Sequence, residues 1–168
     1  MLEKSKELTL RSAYVDAMSY VANSVTVVTT DGTAGRHGAT VSSFCSVSAD
    51  PPTVLVCLNN DGHTAYAVRE NGSFCVNVLP ETESGTAKLF AGIGVDESVD
   101  RFSGATWYQG DSGPLLADVT AFSCDVVEAI QATSHLIFIG KVKSVQRGNE
   151  KPLIYLDRQF CKIDNPKK

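Results

Sequence analysis

The chain has 168 residues, of which 43% are apolar and 20% charged, and its formal net charge is −4. This length and apolar content predict one compact domain, and the acidic balance argues against nucleic-acid binding, which needs a clustered positive surface. No apolar run approaches the ~20 residues that span a bilayer, and the N-terminus lacks the apolar core of a signal peptide. We therefore expect a cytoplasmic protein that binds neither nucleic acid nor a membrane.

The chain opens on a helical pattern and continues into a hairpin. Apolar residues such as Leu10, Tyr14 and Met18 recur at helical offsets, with Thr9 placed to cap the helix. Residues 24–30 are rich in β-branched side chains and alternate as a strand does. The Gly-rich turn over residues 31–38 returns the chain into a second strand, so we expect the two strands to form a hairpin.

The hydroxyl stretch, residues 38–52, carries five hydroxyl side chains between apolar residues and ends at a Pro pair. Alternation along a strand would point Thr40 and Ser42 to one face and Ser43 to the other. The resulting polar but uncharged face suits a flat, polar, anionic cofactor, because hydroxyls donate and accept hydrogen bonds without adding charge. The alternative interpretation is an edge strand that is merely rich in Ser and Thr.

The rest of the chain reads as short strands with two short helices. Residues 53–58 form a continuous apolar run typical of a strand buried on both faces. A helix capped by Thr64 should end near Gly72, and a second should cover residues 83–90. Residues 91–113 predict a long functional loop or lid. Further strands are predicted over residues 73–79, 121–132, 136–145, 153–156 and 158–161, which favours a mostly β, closed antiparallel barrel with peripheral helices.

The five cysteines are widely spaced, never form a Cys-x-x-Cys pair and lie mostly inside apolar runs. They predict small buried side chains in a reducing compartment rather than disulfides. The three histidines share no metal-ligand spacing, so we expect no metal site.

Several segments match one known family in order and spacing. They are Val25-Thr-Val-Val-Thr-Thr30, Ser42-Ser-Phe-Cys-Ser-Val-Ser48, Asp50-Pro-Pro, Phe74-Cys-Val-Asn-Val-Leu79, Phe90-Ala-Gly92, Arg101-Phe102, Ile137-Phe-Ile-Gly140 after His135, and Pro152-Leu-Ile-Tyr155. In these the chain resembles the short-chain flavin reductase family. The resemblance implies a single flavin reductase-like domain over residues 1–168, with a core of about residues 14–160. It also implies a split β-barrel of Greek-key type and a homodimer with flavin near the subunit interface.

The resemblance implies an NAD(P)H-dependent flavin reductase that passes hydride to FMN or FAD and supplies a partner monooxygenase. Such hydride transfer asks the protein for stacking, orientation and exclusion of water rather than an acid–base pair. The chain lacks a Gly-x-Gly-x-x-Gly fingerprint, so NADH or NADPH would enter the flavin groove itself. Two alternatives stay open: a relative that retains flavin and reduces another acceptor such as a corrinoid, and a non-catalytic flavin-binding module.

The site residues also follow from the resemblance. Those expected along the flavin ring and ribityl chain are Ala39, Thr40, Val41, Ser42, Ser43, Phe44, Cys45 and Ser46. The other expected cofactor-binding residues are Asn60, His63, Thr64, Lys88, Phe90 and Arg101. Many relatives have Ser where this chain has Gly62, so the helix start and His63 would compensate at the phosphate. Many also have Arg where this chain has Ile93, and Lys88 and Arg101 are the nearby substitutes for that charge. The alternatives are a core role for Phe44, a solvated loop for His63 and a surface role for Arg101.

His135 is the residue expected to act on the nicotinamide. It would line the groove and fix the hydride donor over the flavin, which makes it our candidate catalytic residue. Many relatives read Gly-Asp-His where this chain reads Thr133-Ser-His135, so a hydroxyl replaces the acid that could orient the ring. The alternative is a hydrogen-bonded structural histidine.

Overall fold

The computed structural model describes residues 2–96 and 98–164, with side chains from Thr9 onward. The chain is mostly β. Its helices are α1 (Leu2–Ser19), α2 (His63–Asn71) and α3 (Ser84–Phe90). Its strands are β1 (Asn23–Ser24), β2 (Thr26–Thr30), β3 (His37–Val41), β4 (Cys45–Ala49), β5 (Pro52–Asn59), β6 (Ser73–Val78), β7 (Trp107–Gly110), β8 (Gly113–Leu116), β9 (Thr120–Ala132), β10 (His135–Gln146), β11 (Ile154–Leu156) and β12 (Gln159–Cys161).

Seven strands form the main sheet in the order β3-β2-β6-β9-β10-β5-β4, and all their pairings are antiparallel. Strands β1, β11 and β12 form a smaller sheet, and β7 pairs with β8. The β2–β3 hairpin predicted from the Gly-rich turn is confirmed, with Thr26 opposite Val41 and Thr30 opposite His37. No helix within the described ranges is long and apolar enough to cross a membrane.

The hydroxyl stretch is two strands, not the single strand that alternation predicts. Strand β3 lies at one edge of the main sheet and β4 at the other, and only residues 42–44 connect them. Four Cα steps span at most about 14 Å, so the sheet must curl until its edges approach. The Ser43 hydroxyl donates to the Cys57 carbonyl (2.9 Å) and accepts from the Cys57 N–H (3.1 Å), which joins the bend to β5. In the described residues the strand pairings leave the sheet open at this seam.

Two apolar clusters flank the main sheet, and β2 is buried on both of its faces. Its Val28 belongs to the cluster around Phe74 and Phe138, whereas Val27 belongs to the cluster around Phe90. The prediction that β5 is buried on both faces is wrong, because its burial alternates along the strand. Helix α3 and the β7–β8 hairpin cover the second face at β2, and that cover does not extend to β5.

A buried amide holds the β7–β8 hairpin on the sheet. The Asn77 side chain donates to the Val27 carbonyl (3.1 Å) and to Thr29 Oγ1 (3.2 Å), and its Oδ1 accepts from the Leu116 N–H (2.8 Å). This hairpin corrects the prediction of an unbroken loop to residue 113. The turn residues Gly110-Asp-Ser-Gly113 between two apolar pairs were a signal for it.

Two of the predicted helix starts are wrong. Helix α1 begins well before Thr9, since the helix-forming Leu, Glu and Lys of residues 2–8 continue the pattern upstream. Helix α2 is capped by Gly62 without a side-chain bond, and Thr64 lies buried in its first turn. The predicted end of α2 is confirmed, because Gly72 adopts the left-handed conformation (φ 69°) that favours glycine.

All five cysteines are free thiols. Burial raises the pKa of Cys75 to about 11 and that of Cys124 to about 12, so both stay protonated near neutral pH. Cys45 is exposed, contrary to the prediction of buried cysteines, because it lies on the edge strand β4.

Candidate functional site

A cavity of about 570 Å³ lies where the start of β3, the start of α2 and the loop after α3 meet. Its lining residues are Arg36, His37, Gly38, Ala39, Gly62, His63, Thr64, Val99, Asp100, Arg101 and Phe102. Four of these side chains are basic and one is acidic. The cavity therefore combines a cationic wall with the beginning of the hydroxyl stretch.

Two histidines from different elements face each other in this cavity. The rings of His37 on β3 and His63 on α2 stack with centroids 6.0 Å apart and planes 25° from parallel. Burial, followed by the positive charge of His63 and then of Arg101, holds the pKa of His37 below its usual value. An anion between these groups would relieve their mutual repulsion, so the arrangement suits a phosphate.

The start of α2 adds a second attraction for anions. Gly62 caps the nine-residue helix without a side-chain hydrogen bond, so the first-turn amides keep their partial positive charge toward the cavity. A glycine at this position leaves the backbone accessible, and Thr64 is buried beside it. The helix start and the two histidines therefore act on the same space.

Arg36, just before β3, contacts the loop of residues 100–102 that forms the other side of the cavity. The Arg36 guanidinium lies 3.7 Å from an Asp100 carboxylate oxygen and 4.6 Å from the Phe102 ring centroid. Phe102 in turn packs edge-on against Phe90 and Trp107, at centroid distances of 5.0 and 5.2 Å. These contacts anchor residues 100–102, which carry Arg101 into the cavity.

The relative position of the two histidines depends on Asn71 at the end of α2. Its amide donates to Thr30 Oγ1 (3.0 Å) and to the Gly35 carbonyl (3.1 Å), while the Ala34 N–H donates to its Oδ1 (2.8 Å). The β2–β3 turn is thereby fixed to α2.

Gly38, which lines the cavity on β3, is required for a different reason. A Cβ at this position would lie 2.7 Å from the Phe90 ring.

Of the expected cofactor residues, the structure brings Ala39, His63, Thr64 and Arg101 together in the cavity. Other expected cofactor residues lie elsewhere. Asn60 and Lys88 are exposed and are not among the lining residues, and Phe90 is only 2% exposed in the core beneath Gly38. Phe90 supports the cavity from below because its ring is enclosed by Phe102 and Trp107.

The side chains of the hydroxyl stretch divide into bonded and exposed groups. Thr40 Oγ1 donates to the Ala87 carbonyl (2.8 Å), and the Ser43 hydroxyl donates to the Cys57 carbonyl on β5. The Phe44 ring packs on Phe122 with ring centroids 5.5 Å apart. Val41 and Phe44 both pack against the core, which favours the core interpretation of Phe44. The exposed members are Ser42, Cys45 and Ser46. Ser42 does not share a strand face with Thr40, because β3 ends at Val41.

His135 begins β10 and lies outside the cavity lining. It is exposed, pairs with Asn59 across the sheet, and its Nδ1 lies 2.9 Å from the Ser134 hydroxyl. The Asn60 N–H donates to the Ser134 carbonyl (3.0 Å), so the loop that leads to α2 rests on the turn before His135.

Four residues at the site were not expected from the sequence: Arg36, His37, Asp100 and Asn71. The adjacent Arg36 and His37 between a Gly-rich turn and the hydroxyl stretch were a usable signal for a cationic wall. Asn71 carried no such signal, since its pattern is that of a helix end. Across the described residues, no three His, Cys, Asp or Glu side chains are grouped as metal ligands.

Comparison with known proteins identifies what the chain is similar to. The family described as "Flavin reductase like domain" matches residues 18–164. FMN reductase (NADH) RutF from Ancylobacter novellus is 39% identical over 153 residues, which cover 89% of this chain and 83% of the relative.

Solved structures agree with this match. BorF, the flavin reductase component of a bacterial two-component tryptophan halogenase, superposes with a TM-score of 0.83 at 32% identity, covering 93% of this chain and 99% of BorF. The NADH:FAD oxidoreductase SgcE6 from Streptomyces globisporus, in complex with NAD and FAD fragments, gives a TM-score of 0.83 at 28% identity, covering 92% of this chain and 93% of that one.

Proposed function

This chain belongs to the flavin reductase like family, and on that premise we propose that it is an NADH-dependent flavin reductase with FMN as its flavin substrate. The observation that carries the choice of a phosphorylated flavin is the cationic cavity. His37, His63 and Arg101 converge there on the uncapped start of α2. These groups offer charge-assisted donors to a phosphate and fit it without the family's usual Ser at position 62.

The flavin ring would extend from this phosphate site along the hydroxyl stretch. Ala39 lines the cavity, and the exposed Ser42, Cys45 and Ser46 continue the same stretch toward β4. Thr40 and Ser43 would act by orienting the backbone, because their hydroxyls are already engaged with Ala87 and Cys57. When bound, the flavin accepts hydride from the nicotinamide, and the protein contributes position and exclusion of water.

NADH would bind in the same groove, with His135 as the positioning residue for its carboxamide or a phosphate. The Ser134 hydroxyl at 2.9 Å orients the His135 ring and leaves Nε2 directed to a ligand or to water. The exposure of His135 supports access from solvent. Binding of both substrates in one groove fits a small chain without a Rossmann fingerprint.

The architecture and assembly complete the proposal. We expect residues 1–168 to form one domain whose curled main sheet is a split β-barrel of Greek-key type, closed at the Ser43 seam. The approach of the β3 and β4 edges supports this closure. The domain would act in the cytoplasm as a homodimer and release reduced flavin to a monooxygenase component, as two-component systems require.

A single cuvette experiment tests this function. The purified protein, mixed with NADH and free FMN, is expected to accelerate the loss of NADH absorbance in proportion to its concentration. A rate no higher than that of NADH and FMN alone would mean that the protein binds flavin without catalysing its reduction. Yellow colour retained through dialysis, with NADH oxidation dependent on an added acceptor, would favour the relative that keeps its flavin.

A further inference from the structure

Helix α1 is attached to the rest of the chain at its last turn. The Asp157 N–H donates to the Ser19 carbonyl at 2.7 Å, and Arg158 pairs with Asp16 at 3.1 Å. Every side chain described over residues 9–18 is exposed. The helix therefore extends from the small β1-β11-β12 sheet with its sides uncovered.

The exposed side chains of α1 are not uniformly polar. Leu10, Tyr14 and Met18 recur at intervals of four residues and expose 72%, 63% and 42% of their surface, and Val21, two residues beyond the end of α1, exposes 46%. We call these four residues the α1 stripe. Ser12 and Asp16 lie on the opposite side of the helix. Because most helical stability in proteins comes from packing of such a stripe, an uncovered α1 indicates a missing partner surface.

The main sheet carries a second apolar surface, half-buried to exposed, on the side of β5 and β10 that faces away from the core. Its residues are Leu55, Cys57, Ile130, Ile137 and Ile139, and we call them the outward face. Ile137 pairs directly with Cys57 and Ile130, and Ile139 pairs with Leu55, so they form contiguous rows. Their neighbours along the strands, such as Val56 and Phe138, fill the core, whereas none of the five belongs to either core cluster.

We propose that the α1 stripe of one copy packs on the outward face of a second copy, and that the two-fold axis repeats this contact in reverse. The inference rests on the dimer in the proposed function and names its interface. In a two-fold symmetric dimer, the α1 stripe of each copy contacts the outward face of the other, so the single two-fold axis covers both surfaces in both copies. Pairing of α1 with α1 would leave the outward face of both copies in water.

The available area agrees with a stable dimer. A large side chain offers on the order of 150–250 Å², so the four stripe residues expose about 400 Å² at their observed fractions. The outward face adds a smaller area, because Ile130 exposes 40% of its surface and the other four side chains are half-buried. The two surfaces together bring each partner toward the ~800 Å² of a standard interface. Either surface alone falls well short of that area.

Charge placed in the stripe tests the contact against a matched control. We expect Tyr14→Asp to raise the dimer dissociation constant roughly a hundredfold in sedimentation equilibrium, because a buried carboxylate would lie against apolar side chains. Ser12→Asp adds the same charge on the opposite side of α1 and should leave the dimer intact. Circular dichroism establishes that both variants are folded. Equal dimer strength in the two variants would overturn the proposal.

Cross-linking identifies the partner surface directly. A photoreactive benzoylphenylalanine at position 14 is introduced into the full chain, and ¹⁴N- and ¹⁵N-labelled protein are mixed before irradiation. We expect mixed-isotope cross-links from position 14 to peptides that contain residues 55–57 or 130–139. Cross-links within one chain, or from α1 to α1, would overturn the proposal while leaving the dimer itself standing. A wild-type monomer at micromolar concentration would overturn both the interface and the dimer, while NADH oxidation would still report on the reductase.

Discussion

The cationic cavity and the outward face lie on the same main sheet and differ in how their groups are satisfied. At the cavity, each wall is held by bonds within the chain: Asn71 fixes the β2–β3 turn and Asp100 holds Arg36. At the outward face, Leu55, Ile137 and Ile139 pack on neither core cluster. The difference indicates that one chain builds the phosphate end of its proposed site with its own bonds, whereas the outward face is the surface on which the proposed second copy would pack.

Among the internal bonds of the chain, those of Asn77 beneath the β7–β8 hairpin have the largest expected effect when broken. Asn77→Ala leaves the Leu116 N–H and the Val27 carbonyl without their buried partner, at about 1 kcal/mol or more for each lost bond. We expect the free energy of unfolding to fall by about 2–4 kcal/mol in urea titrations. Gln109→Ala, at an exposed position of the same hairpin, serves as the control. A change below about 0.5 kcal/mol would show that the hairpin is held by apolar packing instead.

The basic side chains of the cavity should favour FMN over riboflavin, because only FMN carries a phosphate. Arg101→Ala removes a charge-assisted bond worth about 1.5–3 kcal/mol, so FMN affinity should fall by roughly tenfold to a hundredfold while riboflavin affinity is unchanged. Arg69→Ala is the matched control, because Arg69 lies exposed on α2 and outside the cavity lining. Fluorescence titration measures both flavins. An equal loss for riboflavin and FMN would place Arg101 at the ring rather than at the phosphate.

Proton uptake should accompany FMN binding. The pKa of His37 is held low by burial, His63 and Arg101, so the ring is neutral near pH 7 in the free protein. A bound phosphate raises that pKa, so binding takes up a proton and FMN affinity increases as pH falls from about 8 to about 6.5. We expect a gain of roughly threefold to tenfold. The phosphate itself loses its second charge toward pH 6, and the Arg36–Asp100 ion pair also faces the cavity. Because both could contribute to the pH dependence of FMN affinity, that dependence is compared between the wild type and His37→Gln.

Two results check this interpretation of His37. Riboflavin affinity should show no comparable slope over the same range, because riboflavin carries no phosphate. The His37→Gln variant should bind FMN with a flatter pH profile and a lower affinity at pH 6.5. A profile for this variant that coincides with that of the wild type would assign the slope to other groups.

The smallest effect is expected outside the cavity, at His135. Loss of one positioning hydrogen bond is worth about 0.5–1.5 kcal/mol, so His135→Ala should lower kcat/KM for NADH by roughly threefold to tenfold. FMN affinity and melting temperature should stay nearly unchanged, and His135→Gln should restore part of the loss. A fall of several degrees in melting temperature with normal turnover of the folded fraction would make His135 structural.

Local sequence was sufficient for features that depend on neighbouring residues. The β2–β3 hairpin, the end of α2 at Gly72 and the alternation of β6, β9 and β10 with turns follow from β-branched runs, turn chemistry and periodicity. Within the site, Ala39, His63, Thr64 and Arg101 carried enough motif similarity to be named before the cavity was known. These features can be predicted from local sequence because backbone preferences and short motifs determine them.

Tertiary structure decided everything that depends on which elements meet. The stacking of His37 on His63, the role of Asn71 between α2 and a turn some 36 residues earlier, and the separation of β3 and β4 to opposite sheet edges are all long-range pairings. The α1 stripe is a similar case, because its spacing predicted an amphipathic helix and only the fold showed that its side chains are exposed. Periodicity specifies that a face is apolar, but only the arrangement of the whole chain determines what covers it.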